Sequence, residues 1–228
     1  MPSVPDLSFE TDIYRQGFTH IAGIDEAGRG CLAGPVVAAA VIFHAGYFLE
    51  GVNDSKKLSF ARRDYFFEII RVNALSIGVG IVDNKEIDKI NIYNATINAM
   101  KMAVEDLAIV PDYLLIDAVP VKDLPIPQLP IIKGDTLSFT IASASIVAKV
   151  TRDRLMAGHH LSFPDYNFKA HKGYGTKEHI ERLRQFGPCS IHRSSFIRKI
   201  FTPGLTKDNE NVSVGTDLQV CPMGNGQT

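Results

Sequence analysis

The chain has 228 residues, of which 45% are hydrophobic and 21% charged, and its formal net charge is −1. That length suits one domain of ordinary size, and the apolar share supports a sizeable core. The balance of charge excludes wholesale disorder and gives no sign of a uniformly basic coat for a polyanion.

Residues 1–18 are polar and read as a loose arm. Pro2, Pro5, Asp6, Glu10 and Asp12 exclude a signal peptide. Residues 20–25 read as a strand that stops at Gly28-Arg29-Gly30, and Gly34-Pro35 as a turn. Residues 36–43 are apolar on both faces, as in a central strand covered by other layers. This longest apolar run is too short to span a membrane. Residues 45–58 are expected as loop, and Ser59 can cap a helix over 60–72. A third strand covers 75–82. Helical periodicity then runs over 91–107 through Ile92, Ala95, Ala99, Met102 and Ala103. A fourth strand covers 113–117. The Pro-rich stretch 124–130 predicts an irregular connection, followed by a short strand at 131–133.

Residues 139–156 are apolar nearly all round, which predicts a buried helix. Small Ala142, Ser143 and Ser145 let it lie close to a sheet. Residues 176–186 predict another helix. The order of elements makes an α/β domain with a mixed sheet. Its sheet core spans 19–156 and its C-terminal helical part 157–202. The tail 203–228, rich in Gly, Asn, Ser and Thr, is expected to be mobile.

Charge is unevenly distributed. Residues 149–200 hold 11 Lys and Arg against four acids, and five of the seven His. That segment is therefore +7 and the remainder −8. A basic segment on an acidic body predicts a phosphate-binding face. Three cysteines with no paired spacing suggest neither a disulfide framework nor a zinc ribbon. A reducing cytosol, and so a cytoplasmic location, fits them.

Four acids stand at strand ends. Asp25 and Glu26 follow Ile21-Ala22-Gly23-Ile24, Asp117 follows Tyr113-Leu114-Leu115-Ile116, and Asp135 follows Ile131-Ile132-Lys133-Gly134. Strand ends are where α/β sheets present their sites. Taken singly, each acid can cap a helix or turn, Asp135 beside Thr136 and Ser138 above all. As a set they repel one another unless a divalent ion neutralises them. Ligands that are all oxygen favour Mg²⁺ or Mn²⁺. Neighbours on a strand point to opposite faces, so Asp25 and Glu26 share a metal only where the chain bends. Gly28 and Gly30 permit such a bend.

Several blocks in order resemble the type 2 ribonuclease H family, specifically bacterial ribonuclease HII. They are Gly23-Ile24-Asp25-Glu26-Ala27-Gly28-Arg29-Gly30, Gly34-Pro35-Val36-Val37-Ala38 and Asp54-Ser55-Lys56-Lys57-Leu58. Ile116-Asp117, Lys133-Gly134-Asp135, residues 141–153, Gly173-Tyr174-Gly175-Thr176 and His192-Arg193-Ser194-Ser195-Phe196 complete them. Ser143 and Ser194 depart from the usual residues, and no acid is replaced.

The resemblance, over residues 19–200, implies a ribonuclease H-like fold: a five-stranded mixed sheet flanked by helices, with extra C-terminal helices. It implies two-metal hydrolysis 5′ of a ribonucleotide, leaving 3′-hydroxyl and 5′-phosphate ends. Substrates would be RNA–DNA hybrids and DNA duplexes containing single ribonucleotides, and the enzyme is expected as a monomer. The metal-site acids would be Asp25, Glu26, Asp117 and Asp135. Gly28-Arg29-Gly30 would read the 2′-hydroxyl, and Tyr174 would contact the sugar at the junction.

Elementary chemistry agrees with these roles. Backbone groups approach a sugar closely only where Cβ atoms are absent, and the 2′-hydroxyl is what separates RNA from DNA. Lys56, Lys57, Lys149, Lys172, Arg193 and Arg198 are candidate phosphate contacts. His171 and His192 could act near the leaving group, but read as structural. A non-catalytic nucleic-acid-binding module is the alternative, but four acids beside its basic face would repel phosphate. A small-molecule phosphotransferase would need a glycine-rich phosphate loop that is missing from the sequence.

Overall fold

A computed structural model describes residues 4–201. Its five-stranded sheet comprises β1 (Ile21–Ala27), β2 (Val36–Ile42), β3 (Ser76–Val82), β4 (Tyr113–Asp117) and β5 (Gln128–Ile131), in the order β3-β2-β1-β4-β5. β1–β2 and β2–β3 are antiparallel, whereas β1–β4 and β4–β5 are parallel. Central β2 is buried at every position, as its unbroken apolar run requires.

The helices are α1 (Ser8–Arg15), α2 (Phe60–Asn73), α3 (Asn84–Glu105), α4 (Phe139–Ser162), α5 (Phe168–His171), α6 (Lys177–Phe186) and α7 (Ser194–Phe201). One sheet face packs on α3 through Ala22, Ile24, Leu114 and Ile116. The other packs on α2 and α4 through Ala39, Val41, Phe66 and Ala144. The expected α/β class, with its mixed sheet and C-terminal helices, is the observed architecture. α4 approaches closely because β1 has Gly23 there: a Cβ would stand 2.3 Å from the Thr140 carbonyl carbon.

Ser59 caps α2 by accepting the Arg62 N–H, as expected, and Thr176 caps α6 in the same way through His179. Three expectations are corrected. Residues 1–18 are not a loose arm throughout, because α1 buries Ile13 and Glu10. The Glu10 carboxylate accepts bonds from Ser138 and Thr140 at the start of α4 (2.7–2.9 Å). β5 lies three residues before its expected place, because Lys133 adopts a left-handed φ of 58° and ends the extended run. Pro130 is tolerated because β5 is an edge strand, where a missing N–H breaks no inner ladder. α3 begins seven residues early, and its apolar period breaks at Asn91 (φ 68°), whose side chain accepts the Asn94 N–H. The expectation for 203–228 lies outside the described residues.

Candidate active site

β1 stays extended through Ala27, and the chain turns only at Gly28, where φ is 95°. The bend expected at Asp25-Glu26 is therefore missing, and strand alternation separates the two side chains. Asp25 faces α4, where Ser145 favours its charged form, and its Oδ1 accepts the Glu26 N–H at 2.7 Å. Asp117 lies one step beyond the Ile24–Ile116 pair, so it stands beside Asp25 on the neighbouring strand. Asp117 accepts the Gly134 N–H at 2.7 Å. That bond ties the end of β4 to the short 3-10 turn Gly134–Thr136, which carries Asp135. Glu26 starts from the opposite face and pairs with Arg29, Nη1 to Oε1, at 3.1 Å.

The four acids nevertheless act on one another. Burial, then Glu26 and Asp117, push Asp25 well above the usual carboxylate range, with Asp135 adding to the effect and Ser145 opposing it. Burial and Glu26 raise Asp117. Burial, Asp117 and Asp54 push Asp135 up to about 6. Lys56 lies in the same field. Burial works against its charge, but Asp25, Asp135, Asp54 and Asp117 prevail and raise it above its ordinary value. Its Nζ is 3.9 Å from Asp135 and its side chain is 79% exposed.

Among the described residues, no three Asp, Glu, His or Cys side chains are gathered tightly enough to hold an ion as they stand. The fit to a divalent cation rests on charge and donor type. A carboxylate pushed well above its usual range by burial and by three neighbouring acids marks an excess of negative charge that a cation would relieve. Every donor is oxygen, which suits Mg²⁺ or Mn²⁺.

The turn after β1 is held by two fully buried arginines. Arg152 donates to the carbonyls of Pro35, Lys172 and Ala33 at 2.9–3.0 Å. Arg193 donates to those of Gly34, Arg29, Gly28 and Pro35 at 2.7–3.1 Å. Gly28 has no room for a side chain, since a Cβ would meet the Arg152 guanidinium. Burial brings the Arg193 pKa down to about 10. The same loop is clasped by Leu32 N–H to Gly173 O (2.8 Å) and Arg193 N–H to Leu32 O (2.8 Å).

Tyr174 follows, 38% exposed. Lys149 and Arg152 lie over its ring at 5.5 and 5.7 Å. Burial pushes its phenol up to about 12. Its carbonyl meets His179 Nδ1 at 2.8 Å, and His179 Nε2 meets His192 Nε2 at 3.1 Å. His171, His179 and His192 sit among Tyr166 and Phe168, as structural residues do.

The sequence profile of the ribonuclease HII family matches residues 22–199. The chain belongs to that family. Ribonuclease HII of Caldanaerobacter subterraneus subsp. tengcongensis is 54% identical over 192 residues, covering 84% of this chain and 80% of that one. Ribonuclease HII of Syntrophus aciditrophicus is 55% identical over 195 residues, 86% and 92% of the two chains. Among solved structures, ribonuclease H2 from Pyrococcus horikoshii OT3 superposes with a TM-score of 0.68 at 26% identity, over 79% of this chain and 96% of that one. A ribonuclease HIII in complex with Mn²⁺ shares the fold, with a TM-score of 0.58 at 19% identity over 76% and 65% of the two chains. The protein is thus a ribonuclease H, acting on RNA–DNA hybrids, and the non-catalytic alternative falls away. Among the described residues no helix is long and apolar enough to cross a membrane.

Within this ribonuclease HII the expected residues have different fates. Asp25, Glu26, Asp117, Asp135, Lys56 and the Gly28-Arg29-Gly30 turn lie at one end of the sheet. Lys57 is exposed beside Lys56. Arg29 stands on Glu26 rather than reaching outward. Lys149 is largely enclosed and committed to Asp153 at 2.6 Å. Arg193, expected at a phosphate, is instead enclosed on main-chain carbonyls. The basic segment 149–200 therefore spends much of its charge internally, with Arg154 on Asp64 and Glu68 as a further case. Asp54 and Ser145 were missed as site residues. Asp54 acts on Asp135 and accepts the Lys56 N–H at 2.9 Å, and Ser145, which acts on Asp25, meets Ser55 Oγ to Oγ at 2.9 Å. Both lie in blocks that carried the family resemblance, which was the available signal.

Proposed function

We propose that this ribonuclease H nicks DNA duplexes on the 5′ side of a single embedded ribonucleotide, as well as cutting RNA–DNA hybrids. Asp25, Glu26, Asp117 and Asp135 hold divalent ions, Mn²⁺ or Mg²⁺. Bound, the ions would supply the activated water and neutralise charge on the phosphate and the leaving oxygen, giving 3′-hydroxyl and 5′-phosphate ends. The observation that carries the reading is that Asp25, Asp117 and Asp135, each raised by burial and by neighbouring acids (Glu26 among them for Asp25 and Asp117), lie at the same end of the sheet as the Gly28-Arg29-Gly30 turn.

The chain's own residues have separate tasks. Asp117 positions the turn bearing Asp135 through Gly134. Ser145 favours the charged form of Asp25. Lys56 and Lys57 contact phosphates without reading bases, and Lys56 balances the acids until a cation arrives. Gly28, Arg29 and Gly30 present main chain to the ribose 2′-hydroxyl. Tyr174 offers a ring face to the sugar on the 3′ side, where a deoxyribose fits without a hydroxyl in the way.

The test is a duplex with one ribonucleotide, incubated with Mg²⁺, Mn²⁺ or EDTA. A metal-dependent nick 5′ to that residue is expected. Cleavage elsewhere, or undiminished cleavage in EDTA, overturns the proposal. A cytoplasmic monomer completes it, and light scattering on the purified protein reads the oligomeric state.

A further inference from the structure

Arg193 is a buried cation whose four hydrogen bonds all go to main-chain carbonyls. Burying a charge in this way is costly unless every donor is met. A planar guanidinium has five N–H donors in a fixed fork, and here the fork spans both ends of one loop. Two of its partners are the carbonyls of Gly28 (2.7 Å) and Arg29 (2.8 Å). A trans peptide is planar, so its C=O and the following N–H point in opposite directions. Holding those two carbonyls inward therefore aims the N–H groups of Arg29 and Gly30 outward.

We infer that Arg193 is a positioning residue for ribose recognition: it does not touch the nucleic acid, and it fixes the Gly28-Arg29-Gly30 main chain in the orientation that senses the 2′-hydroxyl. The inference rests on the reading of that turn proposed above. It replaces the phosphate contact expected from sequence. A lysine cannot substitute, because one ammonium cannot span four carbonyls on Gly28, Arg29, Gly34 and Pro35.

The two roles separate in one experiment. For the wild type and Arg193→Lys, kcat/KM is measured on a duplex with one ribonucleotide. The same duplex in all-deoxy form serves as competitor, and its inhibition constant is followed against salt. Positioning predicts that kcat/KM falls by about tenfold or more, the worth of a well-made hydrogen bond. The competitor's inhibition constant and its salt dependence stay unchanged. A phosphate contact predicts instead that the competitor weakens and its logarithmic salt slope flattens by about one; that result overturns the inference. If the wild type does not prefer the ribonucleotide duplex, the reading of the turn itself fails, and this inference with it. If the wild type prefers it and Arg193→Lys keeps the full ratio, only the role of Arg193 fails.

Should the variant not fold, the wild type answers by NMR of its arginine Nε–H signals. The Arg193 signal is expected to be protected from solvent exchange and unmoved by the all-deoxy duplex. A fast-exchanging signal that shifts with added duplex overturns the inference.

Discussion

Asp25 on β1 and Asp117 on β4 stand side by side, one register step past Ile24 and Ile116, on the sheet face that α4 covers. Parallel neighbours in a sheet are about 4.8 Å apart, so the two carboxyls cannot both ionise cheaply without a cation. Asp25→Asn removes one charge of this pair and keeps its shape. Cleavage of a hybrid at saturating Mg²⁺ should fall by on the order of a thousandfold. The melting temperature without metal should not drop, because repulsion is relieved. Turnover close to wild type removes Asp25 from the site.

The raised acids also set a dependence on pH. Asp135 titrates near 6 in the folded chain, against a usual value of 3.8. The folded state thus binds its proton more tightly than the unfolded one. That contribution to stability is complete below about pH 4 and is lost as pH rises through about 6. Burial and the neighbouring acids raise Asp25 in the same sense. A divalent ion competes with those protons. The gain in melting temperature from Mn²⁺ should therefore be larger at pH 8 than at pH 5, as calorimetry with and without EDTA will read. Equal gains at both pH values would contradict a shared acid site.

Tyr174 lies at the rim, over Lys149 and Arg152. Tyr174→Ala should depress cleavage at an RNA–DNA junction more than cleavage inside a continuous hybrid. A loss of about tenfold in the ratio, the worth of one ring contact, is expected from parallel kinetics on the two substrates. Equal losses on both would count against a sugar contact.

Gly23 lets α4 sit against β1, and a Cβ there would press on main-chain atoms of Thr140 and Ile141 at 2.3–2.6 Å. Backbone cannot swing aside as a side chain can. Gly23→Ala should cost about 3 kcal/mol, a fall of about 6–12 °C in a domain of this size. Denaturant or thermal melts measure it, and a variant as stable as wild type would refute the close approach.

The histidine chain behind Tyr174 has one consistent proton arrangement. His192 Nδ1 accepts the Cys189 N–H at 2.9 Å, so its proton is on Nε2, facing His179 Nε2 at 3.1 Å. His179 then carries its proton on Nδ1 and donates to the Tyr174 carbonyl at 2.8 Å. Burial takes both imidazoles down to about 4, below the unfolded value of 6.5. Their neutral pairing stabilises fully above about pH 6.5 and is lost as pH falls towards 4. Nitrogen NMR at pH 6 should show both rings neutral, His179 protonated on Nδ1 and His192 on Nε2. An imidazolium signal from either ring at that pH would exclude the chain.

Some of this was legible in order along the chain, because it depends on local periodicity. The unbroken apolar run of β2, the capping Ser59 and the all-round apolar α4 each follow from residues a few positions apart. So does the placing of Asp117 at the end of β4, whereas Asp25 lies within β1 and Asp135 on the turn after β5. Where helix signals failed, the cause was again local: Asn91 interrupts α3 by its backbone, and Lys133 cuts short the strand expected at 131–133.

The amino-acid sequence by itself thus determined most of the elements and the family motifs, since neighbouring residues carry those patterns. Only the tertiary structure decided which cations are free for a substrate. Arg193 reads as a surface cation in its own segment, yet its guanidinium meets the carbonyl of Gly28, 165 residues away. Asp54 and Ser145 likewise join the site through partners that no local pattern reveals. A charged side chain is drawn to whatever polar groups the fold brings within reach, and spacing along the chain does not record that distance.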